Sequence, residues 1–172
     1  KVIYLNLGVD FAADEFKAGL AQGLKFFAAN KGTYLVHCTE GHLIADDIAK
    51  EGVGAICGPM LTTRSKPELS NSSLVNPGKV SKAGVLTAIC TDHDVIPMYL
   101  LPTSAGYAVG AGMDYDEALR AITINPAKIC KIDDRVGSLE VGKDADILVF
   151  DGDPLAVANY PKMVYVNGNQ VK

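Results

Sequence analysis

The sequence predicts an α/β fold: a parallel sheet with helices between its strands, followed by a small β appendage. Three observations predict it. Apolar runs such as Val85-Leu86-Thr87-Ala88-Ile89-Cys90 show no in–out alternation, the mark of strands covered on both faces. Segments of helical spacing separate these runs. Two of the runs end in crowded polar residues, His37-Cys38-Thr39-Glu40-Gly41-His42 and Thr91-Asp92-His93-Asp94. Open α/β sheets and barrels bind their ligands at that edge.

Taken in order, Val2 to Leu7 is a short β run stopped by Gly8. A helix is expected over 13–29, with Asp14 and Glu15 in its first turn and Phe16, Leu20, Leu24 and Phe27 as its apolar stripe. Thr33 to His37 is the second strand, and Leu43 to Lys50 a short helix ended by Gly52. Val53 to Cys57 is the third strand, broken by Gly58-Pro59. Residues 60–77 are polar and irregular, too long to be an idle connection. A helix near 79–83 leads to the fourth strand, 85–91.

An apolar helical stretch over 103–112 follows. Next comes a helix capped by Asp114, with Glu117 three residues on as its reciprocal partner. Asn125-Pro126 opens another short helix. Beyond it the character changes. Residues 146–150 and 163–166 are β runs, and Asn167-Gly168 is a strong hairpin signal into 170–172. The boundaries are therefore 1–130 for the βα units and 131–172 for the β segment.

The bulk properties exclude several classes. The 172 residues make one domain, or one domain with an appendage. The net charge of −4 comes from 16 basic and 20 acidic residues that are mixed along the chain. With no Lys/Arg block, nucleic acid and membrane surfaces are excluded as partners. No apolar run of about eighteen residues and no signal region is present, so a cytoplasmic location is expected. Cys38, Cys57, Cys90 and Cys130 are unevenly spaced, with no Cys-x-x-Cys pair. They read as reduced, small apolar residues.

Two strands that deliver His37 and Asp92 to one edge describe a metal or acid/base site. Spacing alone leaves open that these are polar residues turned into loops.

From His37 onward the chain resembles the metal-dependent amidohydrolases, in their imidazolonepropionase-like branch. The likeness rests on residues 37–42, Gly58-Pro59-Met60-Leu61-Thr62-Thr63-Arg64-Ser65-Lys66, Thr91-Asp92-His93, Ala118 to Ala127, and Asp134 to Asp146. It implies half of a (β/α)₈ barrel, about four parallel βα units, with the C-terminal β segment belonging to a composite β domain. It also implies hydrolysis of C–N bonds in cyclic amides or related small molecules. By this resemblance His37 and Asp92 are metal ligands, and Asp92 is also the catalytic proton shuttle. Zn²⁺, or alternatively Fe or Mn, suits an imidazole and a carboxylate, and lowers the pKa of bound water to about 7. His42, Arg64 and His93 are candidates for substrate contact, with a structural role as the competing reading for each.

The family's His-x-His pair has no counterpart among the three histidines of this chain. Two donors do not hold a metal tightly, so turnover by this chain alone is not expected. A homodimer that closes the barrel is. A non-catalytic fragment is the alternative.

Residues 1–41 resemble a different family, the segment before the catalytic loop of bacterial protein tyrosine phosphatases. The likeness is carried by Phe16 to Phe27 and by Tyr34 to Gly41. It implies a fusion near His37-Cys38, with Cys38 as a relic nucleophile. However, Ile44 stands where the phosphate-binding Arg belongs, which removes the guanidinium that such chemistry needs.

Overall fold

The computed structural model describes residue 29 and residues 34–172. The expected strand at 2–7, and all but the last residue of the helix at 13–29, lie outside them. Three of the four predicted parallel strands can therefore be followed. They are β1 (Tyr34–His37), β2 (Gly54–Cys57) and β3 (Thr87–Ile89), in sheet order β1-β2-β3 and all parallel. His37 lies beside Cys57, and Cys57 beside Ile89, so the C-terminal ends of all three strands form one edge.

Parallel neighbours need crossovers, and helices supply them. Between β1 and β2 run a 3₁₀ turn (Gly41–Leu43) and α1 (Ala45–Lys50). Between β2 and β3 lies α2 (Asn76–Lys82). It begins three residues before the helix expected at 79, because Pro77, with its fixed φ and no N–H to lose, is well suited to a first turn. Residues 60–75 form only one 3₁₀ turn, Pro67–Leu69, in keeping with the irregular segment expected there.

Ile48 of α1 and Val80 of α2 are fully buried against Leu35, Val53, Ala55, Cys57 and Val85. Side chains of this size contribute about 2 kcal/mol each when removed from water. They clamp one face of the sheet. A second cluster gathers Ile89 with α3 (Leu101–Gly110), α4 (Tyr115–Ala121) and Leu155. α5 (Ile124–Cys130) completes the helices, and its Asn125 donates Nδ2–H to the Thr87 carbonyl at 2.9 Å.

The Asp114 cap is present, its Oδ1 accepting the Glu117 N–H at 3.0 Å. The reciprocal arm is not made. Glu117 turns instead along its helix to Arg120 at 2.8 Å. Half of the predicted box therefore fixes the start of α4. Asp114→Ala should cost about 1 kcal/mol and lower Tm by about 2–4 °C, measurable by thermal unfolding.

The C-terminal segment forms an antiparallel sheet, β4 (Ile147–Val149), β5 (Met163–Val166) and β6 (Asn169–Gln170). Asn167 and Gly168 both have positive φ, 49° and 78°, which makes the two-residue turn that their sequence announces. This segment is packed onto the rest. Leu155 is buried among Ala105, Ala108, Ala118 and Ala121.

Candidate active site at the strand ends

The sheet places His37 at the end of β1 and Asp92 three residues beyond the end of β3. Their side chains meet across the intervening strand, with His37 Nδ1 3.7 Å from Asp92 Oδ2. That is beyond a good hydrogen bond, and both side chains keep access to solvent, at 43% and 35% exposure. The pair is a neighbouring imidazole and carboxylate, each partly exposed.

Both residues have left-handed backbones, φ 66° at His37 and 52° at Asp92. For an L-residue this region costs about 1–2 kcal/mol, less for His and Asp than for most. The strain falls at the last residue of β1 and in the loop three residues beyond β3, at the same edge of the sheet. Strain of this kind gathers where side-chain placement serves function.

Glycines let the surrounding backbone close up. A Cβ on Gly41 would overlap Cys38 Sγ, and one on Gly58 would overlap the Cys90 carbonyl oxygen. Cys90 N–H donates to the Cys57 carbonyl at 2.9 Å, which ties the end of β3 to that of β2. Two thiols at the strand ends, Cys57 and Cys90, are pushed upward in pKa. A hydrogen bond with Cys38, together with complete burial, pushes the Cys57 thiol well above its usual range. Burial and the nearby Asp92 push Cys90 up to about 11.

The turn after His37 rests on two buried polar residues. Glu40, 4% exposed, accepts the Asn71 N–H at 2.7 Å, and so ties the irregular 60–75 segment to the site. Asn76, 1% exposed, donates Nδ2–H to the Cys38 carbonyl at 2.6 Å and accepts the His42 N–H at 2.7 Å. Sequence reasoning missed both. The signal for Asn76 was the Asn-Pro dipeptide, which recurs at Asn125-Pro126: in each, an Asn in the first helical turn bonds a distant backbone carbonyl, just past β1 for Asn76 and within β3 for Asn125.

The other candidates are arranged less directly. His42 Nδ1 is closed off from solvent and has no hydrogen-bond partner among the described residues. Burial holds its imidazole below the usual pKa, and the charge of Lys79 pushes the same way, against Asn76 and Glu40, which raise it. Arg64 is exposed and gives a hydrogen bond to the Ser72 carbonyl at 2.8 Å. His93 is exposed beside Asp92. Among the described residues, no cluster of three His, Cys, Asp or Glu is placed to hold a metal ion.

Comparison with known proteins gives one consistent family. The model of the Amidohydrolase family matches residues 14–171. An imidazolonepropionase of Syntrophobacter fumaroxidans is 40% identical over 159 residues, 91% of this chain and 35% of that protein. Another, from Symbiobacterium thermophilum, is 31% identical over 152 residues, 84% of this chain and 34% of its own length. The crystal structure of an amidohydrolase from Thermotoga maritima superposes with a TM-score of 0.83 at 32% identity, covering 99% of this chain and 43% of that one. The chain thus spans about a third of the length of these two curated relatives. The family match begins at residue 14 and runs through most of the segment likened to phosphatases, so from there one family accounts for the chain without a fusion. The Cys38 sulfur itself packs on Gly41 and pairs with Cys57.

Proposed function

Since the chain belongs to the amidohydrolase family, we propose that it carries part of the active site of a metal-dependent hydrolase acting on C–N bonds of cyclic amides or related small molecules. The observation that carries this reading is the His37–Asp92 pair, 3.7 Å apart at the ligand-binding edge of a parallel sheet. On the same reading the sheet is a portion of a (β/α)₈ barrel, and residues 131–172 belong to a second, β-rich unit.

An imidazole nitrogen and a carboxylate oxygen are suitable donors for Zn²⁺, Fe²⁺ or Mn²⁺. His37 and Asp92 would hold the ion together with donors from outside the described residues, or from a second copy in a homodimer. Bound there, the ion supplies Lewis acidity. Asp92 takes a proton from the attacking water and returns it to the departing nitrogen, so that a C–O bond forms as the C–N bond breaks. His37 would supply an imidazole nitrogen as donor, from a backbone held at φ 66°. Arg64, His93 and His42 are assigned to the substrate, because they lie on the segments that leave the strand ends.

The test is elemental analysis of protein purified without chelator, beside a His37→Ala/Asp92→Ala double variant. Near-stoichiometric metal that the double variant loses is the expected result. Equal metal content in the two proteins, or none in either, would remove the metal reading and leave a non-catalytic fragment.

A further inference from the structure

The amide of Asn76 joins two points of the turn that follows His37. Its Nδ2 donates to the Cys38 carbonyl at 2.6 Å, and its Oδ1 accepts the His42 N–H at 2.7 Å. These partners lie 38 and 34 residues away in sequence, so the contact fixes the turn to a helix that the local chain cannot supply. Asn76 is 1% exposed, and α2 behind it is anchored by the fully buried Val80. The Cys38 carbonyl follows directly on the φ of 66° at His37, and it is the group that the amide grips.

We infer that Asn76 is a positioning residue, whose amide locks the 38–42 turn and thereby keeps the His37 imidazole turned toward Asp92. The inference rests on the metal reading above, in which that orientation matters. A carboxamide suits the task because one planar group both donates and accepts. Aspartate has the same shape but sets an acceptor against the Cys38 carbonyl. A repelled carbonyl lets the peptide after His37 rotate, and His37 then relaxes from its left-handed backbone.

Asn125 provides a matched control. It is 6% exposed, and its Nδ2 donates to the Thr87 carbonyl at 2.9 Å, at the opposite end of β3 from Asp92. Asn125→Asp therefore removes a comparable buried bond without touching the turn.

The experiment compares the full chain with Asn76→Asp and Asn125→Asp in three measurements. These are Zn²⁺ affinity by competition with a chromophoric chelator, Tm of the metal-free protein, and amide exchange across residues 38–43. Both variants should lose Tm. Only Asn76→Asp should weaken Zn²⁺ binding by at least about tenfold, and only it should speed exchange of the His42 amide by a similar factor. If Asn76→Asp does not fold, Asn76→Ala carries the same expectations without the added charge. Equal loss of affinity in both variants, or unchanged affinity in Asn76→Asp, overturns the inference. A wild-type chain that takes up no Zn²⁺ instead sinks the metal reading. The exchange data then decide alone, and an unchanged His42 amide in Asn76→Asp overturns the role given to Asn76.

Discussion

Gly58→Ala should destabilise the protein by about 3 kcal/mol, with a loss in Tm of about 6–12 °C. Two effects combine. The backbone at Gly58 has φ 141°, a region that L-residues rarely enter, and a Cβ there would overlap the Cys90 carbonyl oxygen. Backbone has no rotamer to yield, so one of the two strand ends must move. Gly52→Ala separates the two effects. Its φ of 66° is also positive, but nothing lies within 4 Å of the added methyl. That variant should cost only about 1 kcal/mol. A difference of less than about 1 kcal/mol between the two variants in denaturant unfolding would show that the overlap is relieved at little cost. The movement also reaches the site, because Cys90 is two residues from Asp92 and bonds the Cys57 carbonyl.

How much of this was legible in the sequence follows from what each feature depends on. The strands could be read because a buried parallel strand needs an apolar run, and 34–37, 54–57 and 87–89 fall within runs that stand out. The meeting of His37 and Asp92 could be read for a topological reason, since parallel strands bring all their C-terminal ends to one edge. The Asn167-Gly168 turn and the Asp114 cap are contained in two to four residues and were equally open. What could not be read depends on distant partners. Glu117 had two polar choices within its own helix, and the structure gives it Arg120 rather than the cap. The Asn76 and Glu40 contacts cross 31 to 38 residues and leave no periodic trace. The left-handed backbones of His37 and Asp92 were also hidden, because neither residue is the glycine that would advertise them.

Those backbones support a second prediction, one of unusual sign. Glycine is ordinarily the worse replacement, since it frees the unfolded chain at a cost of about 0.5–1 kcal/mol relative to alanine. At His37 and at Asp92 the order should reverse. Alanine keeps the strain of a φ near +60°, whereas glycine removes it, so each glycine variant should be more stable than its alanine counterpart by about 0.5–1 kcal/mol. The comparison cancels the lost side-chain contacts, because neither replacement has them. The His37–Asp92 contact that all four variants lose, at 3.7 Å between side chains 43% and 35% exposed, contributes at most about 1 kcal/mol. On the metal reading, affinity should fall by about a hundredfold or more in all four variants, because each removes one of the two donors assigned to the ion. Denaturant unfolding of the metal-free variants and a chelator competition measure the two quantities separately. Alanine variants more stable than the glycine ones would mean that the positive φ carries no strain, and the reason for reading these positions as held for their side chains would fail. The expected order would instead mean that the fold keeps an imidazole and a carboxylate where its backbone prefers glycine, which only the chemistry of those side chains explains.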